Sequence, residues 1–364
     1  MRGRLNVRLL IASLLACALA GCEGGIGGTG GVAPPNAVDG SVGTIETTGH
    51  AAKGPFGPDS AVRYTVLSND GTRGATRDLS ATGSLGEFAG ALPSGASEMT
   101  VSGLYISENL GGLSTIPLTL RSIWSGAGTA NINVLGHITS DRTLVLMSEG
   151  MGVLNAQSMA MAELIESLRP ILTAPDTPVF VSEVSVLRQF GSNPEADAYL
   201  LAVSAILERY ALDQTTSDTA ATQFLSLLID GWADDLSSDG VLNLDGELAG
   251  LTVARSALRP DQIYTNLLQT NLRVTDDAEA GLGLVGDFSC EAIEGELTCV
   301  ELSADAATEP ANDVLTVPLT DLLPDIERFL DTDGDGTAND LDTDDDDDGV
   351  PDADDGDRFD PSLD

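Results

Sequence analysis

Aromatic residues make up only 4% of this 364-residue chain, and 17 basic residues face 57 acidic ones, a formal net charge of −40. Phosphate backbones are repelled by such a surface, so nucleic acid is excluded as a partner, as is electrostatic docking on an anionic membrane. Histidine occurs only as His50 and His137. His137, Ser140 and Asp141 lie together in "GHITSD", but adjacency along the chain is not triad geometry. There is no G-x-S-x-G elbow, no H-E-x-x-H pair and no P-loop. Paired carboxylates discriminate nothing in so acidic a chain, and no catalytic residue is assigned. The 42% apolar content is nevertheless ample for packed structure, and the length fits two or three domains.

The N-terminus reads "MRGRLNVRLLIASLLACALAGC". Arg2, Arg4 and Arg8 precede an apolar stretch from Leu9 to Ala20 that is too short to span a bilayer and has the flanks of a secretory signal. Leu19-Ala20-Gly21-Cys22 resembles the bacterial lipobox, in which the cysteine sulfur takes a diacylglycerol before cleavage. The resemblance implies a lipid anchor at Cys22, and several acyl chains on one residue hold a protein durably at a membrane. Glu23, where an inner-membrane retention signal would place Asp, points to the outer membrane. "EGGIGGTGGVAPPNAVDGSVG" follows. Its Gly25-x-Gly27-x-x-Gly30 lacks the strand and helix that a dinucleotide site needs, so it is read as a flexible tether reaching about 25 Å.

With Cys17 in the signal and Cys22 acylated, Cys290 and Cys299 remain. They sit in "DFSCEAIEGELTCVEL", two alternating segments around "EGE" that predict a hairpin. A disulfide is the expected state in an oxidising compartment; a metal pair would want a nearby histidine or further cysteine.

From about 49 to 135, runs such as "AVRYTVLSNDGT", "SEMTVSGLYIS" and "STIPLTLRSIWS" alternate and carry β-branched residues, which predicts a small antiparallel sandwich. The "KGPFGPDSAVRYTV" segment resembles the transthyretin-like modules of bacterial surface proteins. The apolar period then lengthens to three and four residues, predicting helices. Asn193-Pro194-Glu195 supplies a cap and a first-turn proline for one running to about Tyr210, and further helices are expected over 219–234, 247–258 and 260–272. This part resembles the body of uncharacterised bacterial envelope lipoproteins. Within it, Asp235, Ser237, Asp239 and Asn243 place oxygen donors at positions one, three, five and nine of an EF-hand-like loop, with Gly240 at six but Gly246 where a bidentate glutamate belongs. The alternative is a turn that caps two helices.

The last 34 residues hold sixteen aspartates and one arginine. Asp331, Asp333, Asp335, Gly336, Asn339 and Asp342 recur thirteen residues later as Asp344, Asp346, Asp348, Gly349, Asp352 and Asp355. The pattern D-x-D-x-D-G-x-x-[DN]-x-x-D resembles the thrombospondin type 3 repeat, as does the ending with Phe359 and Pro361. Alternate aspartates gather carboxylates on one side of a loop, and a glycine at position six permits the left-handed turn that closes it. An all-oxygen shell suits Ca²⁺ better than Mg²⁺ or softer metals. Asp345, Asp347 and Asp354 exceed the motif. Without cations, mutual repulsion predicts an extended, disordered tail; with them, a calcium-organised rod.

The expected fold is multidomain α+β: signal peptide 1–21, lipidated cysteine and tether 22–48, β-sandwich 49–135, helical domain 136–275, hairpin and connector 276–330, calcium-binding repeats 331–364. The function it points to is a lipid-anchored, calcium-binding envelope protein with a scaffold or adhesive role toward an envelope or extracellular protein or glycan. Alternatives are a polysaccharide- or peptide-binding lipoprotein, which two tryptophans serve poorly, and a hydrolase in the helical part. Replacing Cys22 with Ser should move the protein from the membrane pellet to the soluble fraction on cell fractionation; retention in the pellet would remove the lipid anchor from the account.

Overall fold

The computed structural model describes residues 43–83, 85–181, 184, 193–274, 288–293, 296–301, 314–318, 325–359 and 361. The signal segment, Cys22 and the tether lie outside them. β-Sheets fill the N-terminal region and helices the middle, a mixed α+β fold. The strands are β1 (Thr44–Ala52), β2 (Ala61–Leu67), β3 (Arg73–Ala81), β4 (Glu87–Pro93), β5 (Ser97–Gly103), β6 (Ile106–Ser107), β7 (Gly112–Leu113), β8 (Leu118–Trp124) and β9 (Ile132–Asn133). One sheet runs β3-β2-β5-β8, all antiparallel; a second runs β4-β1-β9, in which β9 lies parallel to β1. The parallel pair departs from the antiparallel expectation: β9 returns to β1 only after β2–β8, the kind of long crossover that parallel neighbours need. Asn133 makes the switch from β9 into the helix that follows: its backbone is extended and its side chain accepts from the Gly136 N–H at 2.8 Å.

The helices are α1 (Val134–Ser148), α2 (Val153–Leu168), α3 (Pro194–Asp213), α4 (Asp218–Asp239), α5 (Leu248–Ser256) and α6 (Pro260–Val274). Among the described residues no helix is long and apolar enough to cross a membrane. Helix α1 lies so close to β8 that a Cβ on Gly136 would fall 2.1 Å from Ser122 Oγ. Helix α3 opens as its sequence predicts, with Asn193 as cap and Pro194 in the first turn. One continuous apolar core runs from Val62, Met99 and Leu120 of the strands through Leu135, Leu201 and Leu225 of the helices to Phe329 and Leu330. Strands β10 (Phe288–Ile293) and β11 (Glu296–Glu301) form the expected hairpin, with Cys290 paired to Cys299 in the backbone register. It is not isolated: β12 (Val314–Pro318) pairs with β11 and completes a three-stranded sheet.

Because α3 buries 15 of its 20 residues, its polar side chains face inward and need partners. Glu208 finds them in the strand region. It accepts from the Tyr105 hydroxyl (3.1 Å) and from Asn109 Nδ2 (3.0 Å), and stands 3.5 Å from Lys53 Nζ. Lys53, fully buried, pairs with Glu108, also fully buried. Ser204 Oγ meets the Lys53 carbonyl at 2.9 Å and the Glu108 carboxyl, while Asn266 Nδ2 donates to the Glu108 carbonyl at 2.9 Å. Burial, opposed by Lys53, pushes the Glu108 carboxyl up to about 8. Burial also acts on Glu208, but Lys53 and the donors around it hold that carboxyl below its ordinary value. Burial thus favours the neutral form of Glu108, while Lys53 and its donors favour the charged form of Glu208.

Two outcomes follow from this cluster. Lys53→Met strands two carboxyls in the core and should lower unfolding stability by about 3–5 kcal/mol in urea titration. Glu108 holds a proton in the folded chain from its ordinary 4.5 up to about 8, so its contribution declines as pH rises through that window. Glu108→Gln should flatten this decline, which amounts to about 1.4 kcal/mol per pH unit crossed; an unchanged slope would contradict the assignment.

Candidate metal centre

The acidic tail begins from an apolar footing. Ile326, Phe329 and Leu330 are buried, and Phe329 stacks edge-on against Tyr199 at 5.4 Å. The Ile326 N–H donates to the Tyr264 hydroxyl at 3.0 Å. From this point the chain coils twice, and the backbone bonding repeats in the thirteen-residue register of the sequence. Asp335 Oδ1 accepts from the Thr337 N–H and Asp348 Oδ1 from the Val350 N–H, both at 2.7 Å. The Asn339 N–H reaches the Leu330 carbonyl (3.1 Å) as the Asp352 N–H reaches that of Thr343 (2.9 Å). Asp342 Oδ1 accepts from Asp344 N–H and Asp355 Oδ1 from Asp357 N–H, at 3.2 and 2.8 Å. Gly336 and Gly349 have φ of 99° and 93°, the left-handed turn that position six requires.

Each coil brings three carboxylates together. Asp331, Asp333 and Asp335 form one group, and Asp344, Asp346 and Asp348 the other; within each, one oxygen per residue lies within 4.8 Å of the others. These are the only such groups among the described residues. The remaining predicted ligands divide. At position nine, Asn339 and Asp352 brace the loop: their Oδ1 atoms accept from the Thr332 and Asp345 N–H at 3.0 and 2.9 Å. Asp342 and Asp355 lie outside the groups of three, but Asp355 is near enough to act on Asp346. Burial first, and then the Asp348, Asp355 and Asp344 carboxylates, hold Asp346 above the usual carboxylate range.

The second coil carries a debt of donors. Asp344 Oδ1, Asp346 Oδ2, Asp348 Oδ2 and Asp355 Oδ2 are buried with no hydrogen-bond partner. A carboxylate oxygen in that position wants a proton or a cation, and several of them in one coil suit a hard cation that takes six to eight oxygens. Asp345, outside the motif, is 1% exposed; burial and then Asp352 push it up to about 7 against the pull of Arg358.

The tail does not project as a rod but is seated on the body. Arg255 of α5 donates to Asp331 Oδ2 at 2.6 Å, and Arg259 to Asp357 at 2.8 Å. Arg358 pairs with Glu327 and lies over the Phe359 ring, 4.5 Å from its centre. The motif gave no sign of these clamps. Their signal lay elsewhere, in two of the few basic residues falling four apart in "ARSALRPD".

The segment at Asp235 has the geometry of the capping turn. Asp235, Ser237 and Asp239 belong to α4, where Ser237 lies about 200° round the helix from the face that Asp235 and Asp239, four residues apart, share. Asp235 Oδ2 accepts from the Asn243 N–H at 2.7 Å, and Gly240, at φ 82°, ends the helix: the capping turn. Nor do His137, Ser140 and Asp141 form a triad. His137 Nδ1 accepts from the Arg121 N–H at 3.3 Å and Nε2 meets Asp230 at 3.0 Å, while Ser140 Oγ donates to the His137 carbonyl at 2.8 Å. Asp141 pairs with Arg121 at 3.0 Å. Burial lowers His50 to about 4, so it is neutral.

Asp346→Asn removes a buried charge from the second coil. In chelator it should raise the thermal unfolding midpoint by about 2–4 °C, and in about 5 mM Ca²⁺ it should lower the midpoint relative to wild type. A variant equal to wild type in both conditions would show that this carboxylate neither repels its neighbours nor holds an ion.

No protein family, curated protein or solved structure matches this chain.

Proposed function

We propose that this protein is a calcium-binding, lipid-anchored protein of the bacterial outer membrane with a non-catalytic scaffold or adhesive role. The observation that carries the calcium part is the set of buried, partnerless oxygens on Asp344, Asp346, Asp348 and Asp355 inside a loop whose bonding repeats at thirteen residues. Asp344, Asp346 and Asp348 would hold one ion with Asp355, and Asp331, Asp333 and Asp335 a second. All-oxygen donors on flexible loops favour Ca²⁺ over Mg²⁺, which insists on octahedral geometry and keeps its water. The anchor rests on the lipobox resemblance at Cys22, and a Cys290–Cys299 disulfide belongs to the same oxidising location. The directly opposed backbone register of the two cysteines supports that bridge.

A scaffold fits the rest of the molecule. Its polar clusters are paired inward and serve cohesion, and His137 is held by a backbone N–H and Asp230. Trp124 and Trp232 are 3% and 5% exposed, so neither offers the flat surface on which a sugar stacks. Calorimetric titration of the mature chain should show Ca²⁺ binding with Kd of about 10⁻⁴–10⁻³ M, and Mg²⁺ binding at least about tenfold weaker. No heat with Ca²⁺ at about 10 mM, well above that range, would reject the calcium function.

A further inference from the structure

The two acidic coils share one register but not one environment. In the second, the position-one residue Asp344 accepts from the Gly349 N–H through Oδ2 at 3.1 Å, and its Oδ1 is buried without a partner. In the first, Asp331 accepts from the Gly334 N–H through Oδ1 at 2.8 Å, and its Oδ2 already faces the Arg255 guanidinium at 2.6 Å. Arg255 is held in place from the other side, where its Nη1 donates to the Ile171 carbonyl at 2.8 Å. Asp331 is 4% exposed, so its contact with Arg255 is shielded from water. Asp333 and Asp335 are more exposed, and no oxygen of the first group is both buried and partnerless. Asp346 of the second group, by contrast, is 7% exposed with such an oxygen.

We infer that Arg255 is a built-in competitor for the cation of the first coil, so that the two sites fill in order, the second coil before the first. The inference rests on the calcium function proposed above and adds a hierarchy to it. A divalent ion among Asp331, Asp333 and Asp335 would sit next to a fixed guanidinium, and the two cations repel while sharing one carboxylate. The second coil has no such neighbour at its position-one residue, and its bare oxygens gain most from an ion. Filling the first coil therefore loosens the Arg255–Asp331 contact that ties the tail to α5. The tail's seat on the body then responds to calcium only after the second site is occupied.

Calorimetric titration of the mature chain with CaCl₂ tests this. Wild type should bind in two steps; Asp346→Asn should remove the tighter and Asp333→Asn the weaker. Arg255→Gln should tighten the weaker step by about tenfold and leave the tighter within about twofold. Arg255→Lys, which retains the charge, should leave both within about threefold of wild type and so separates charge from packing. An Arg255→Gln protein whose weaker step is unchanged or weakened overturns the competition, as does loss of the tighter step in Asp333→Asn. A wild type that takes up no calcium overturns the calcium function itself, and this hierarchy with it.

Discussion

A carboxylate taken out of water must be given a proton, a cation or a set of N–H donors. With 57 acidic residues against 17 basic ones, most acids of this chain have no basic residue to pair with. The structure answers the need in several ways. Glu208 receives Lys53 and the Asn109 and Tyr105 donors; Glu108 keeps a proton; Asp331 receives Arg255. Asp344, Asp346 and Asp348 receive part of what they need from backbone N–H groups, and each keeps one buried oxygen unmatched. Where the chain's own means end, an external cation is the remaining one.

The same constraint explains why the tail is part of the body. Its coils contain almost no apolar residues, yet Ile326, Phe329 and Leu330 just before them complete the core, and Phe359 near their end is buried. Arginines from α5 and the start of α6 fasten the aspartates between these two points. A segment whose mutual repulsion without cations predicts an extended, disordered tail is instead fastened near both ends, by burial and by charge. The buried Lys53 cluster does the equivalent task for the strands and helices, joining residues from β1 to α6 through groups that would be costly to separate.

Local regularities of this fold were legible in the chain. The thirteen-residue spacing and the glycines at position six became matching coils because a left-handed turn is a local event that glycine adopts without strain. Asn193-Pro194 marked a helix start for the same reason. What stayed hidden was non-local. Lys53 and Glu108 are 55 residues apart and Arg255 and Asp331 76, and nothing in a sequence pattern pairs them. β12 could not be foreseen as the partner of β11, since strand order is set by the whole sheet. The segment at Asp235 left two readings open because alternating oxygen donors look alike in a loop and on a helix, and the length of the helix is not written in the spacing.

The central claim is that the aspartates of each coil converge in order to be neutralised by a divalent ion. Crystals grown with calcium and measured at a long X-ray wavelength would test it most directly through the anomalous difference map. Two peaks are predicted, one among Asp344, Asp346, Asp348 and Asp355 and a weaker one among Asp331, Asp333 and Asp335. A map with calcium elsewhere on the molecule and none inside either coil would contradict the account.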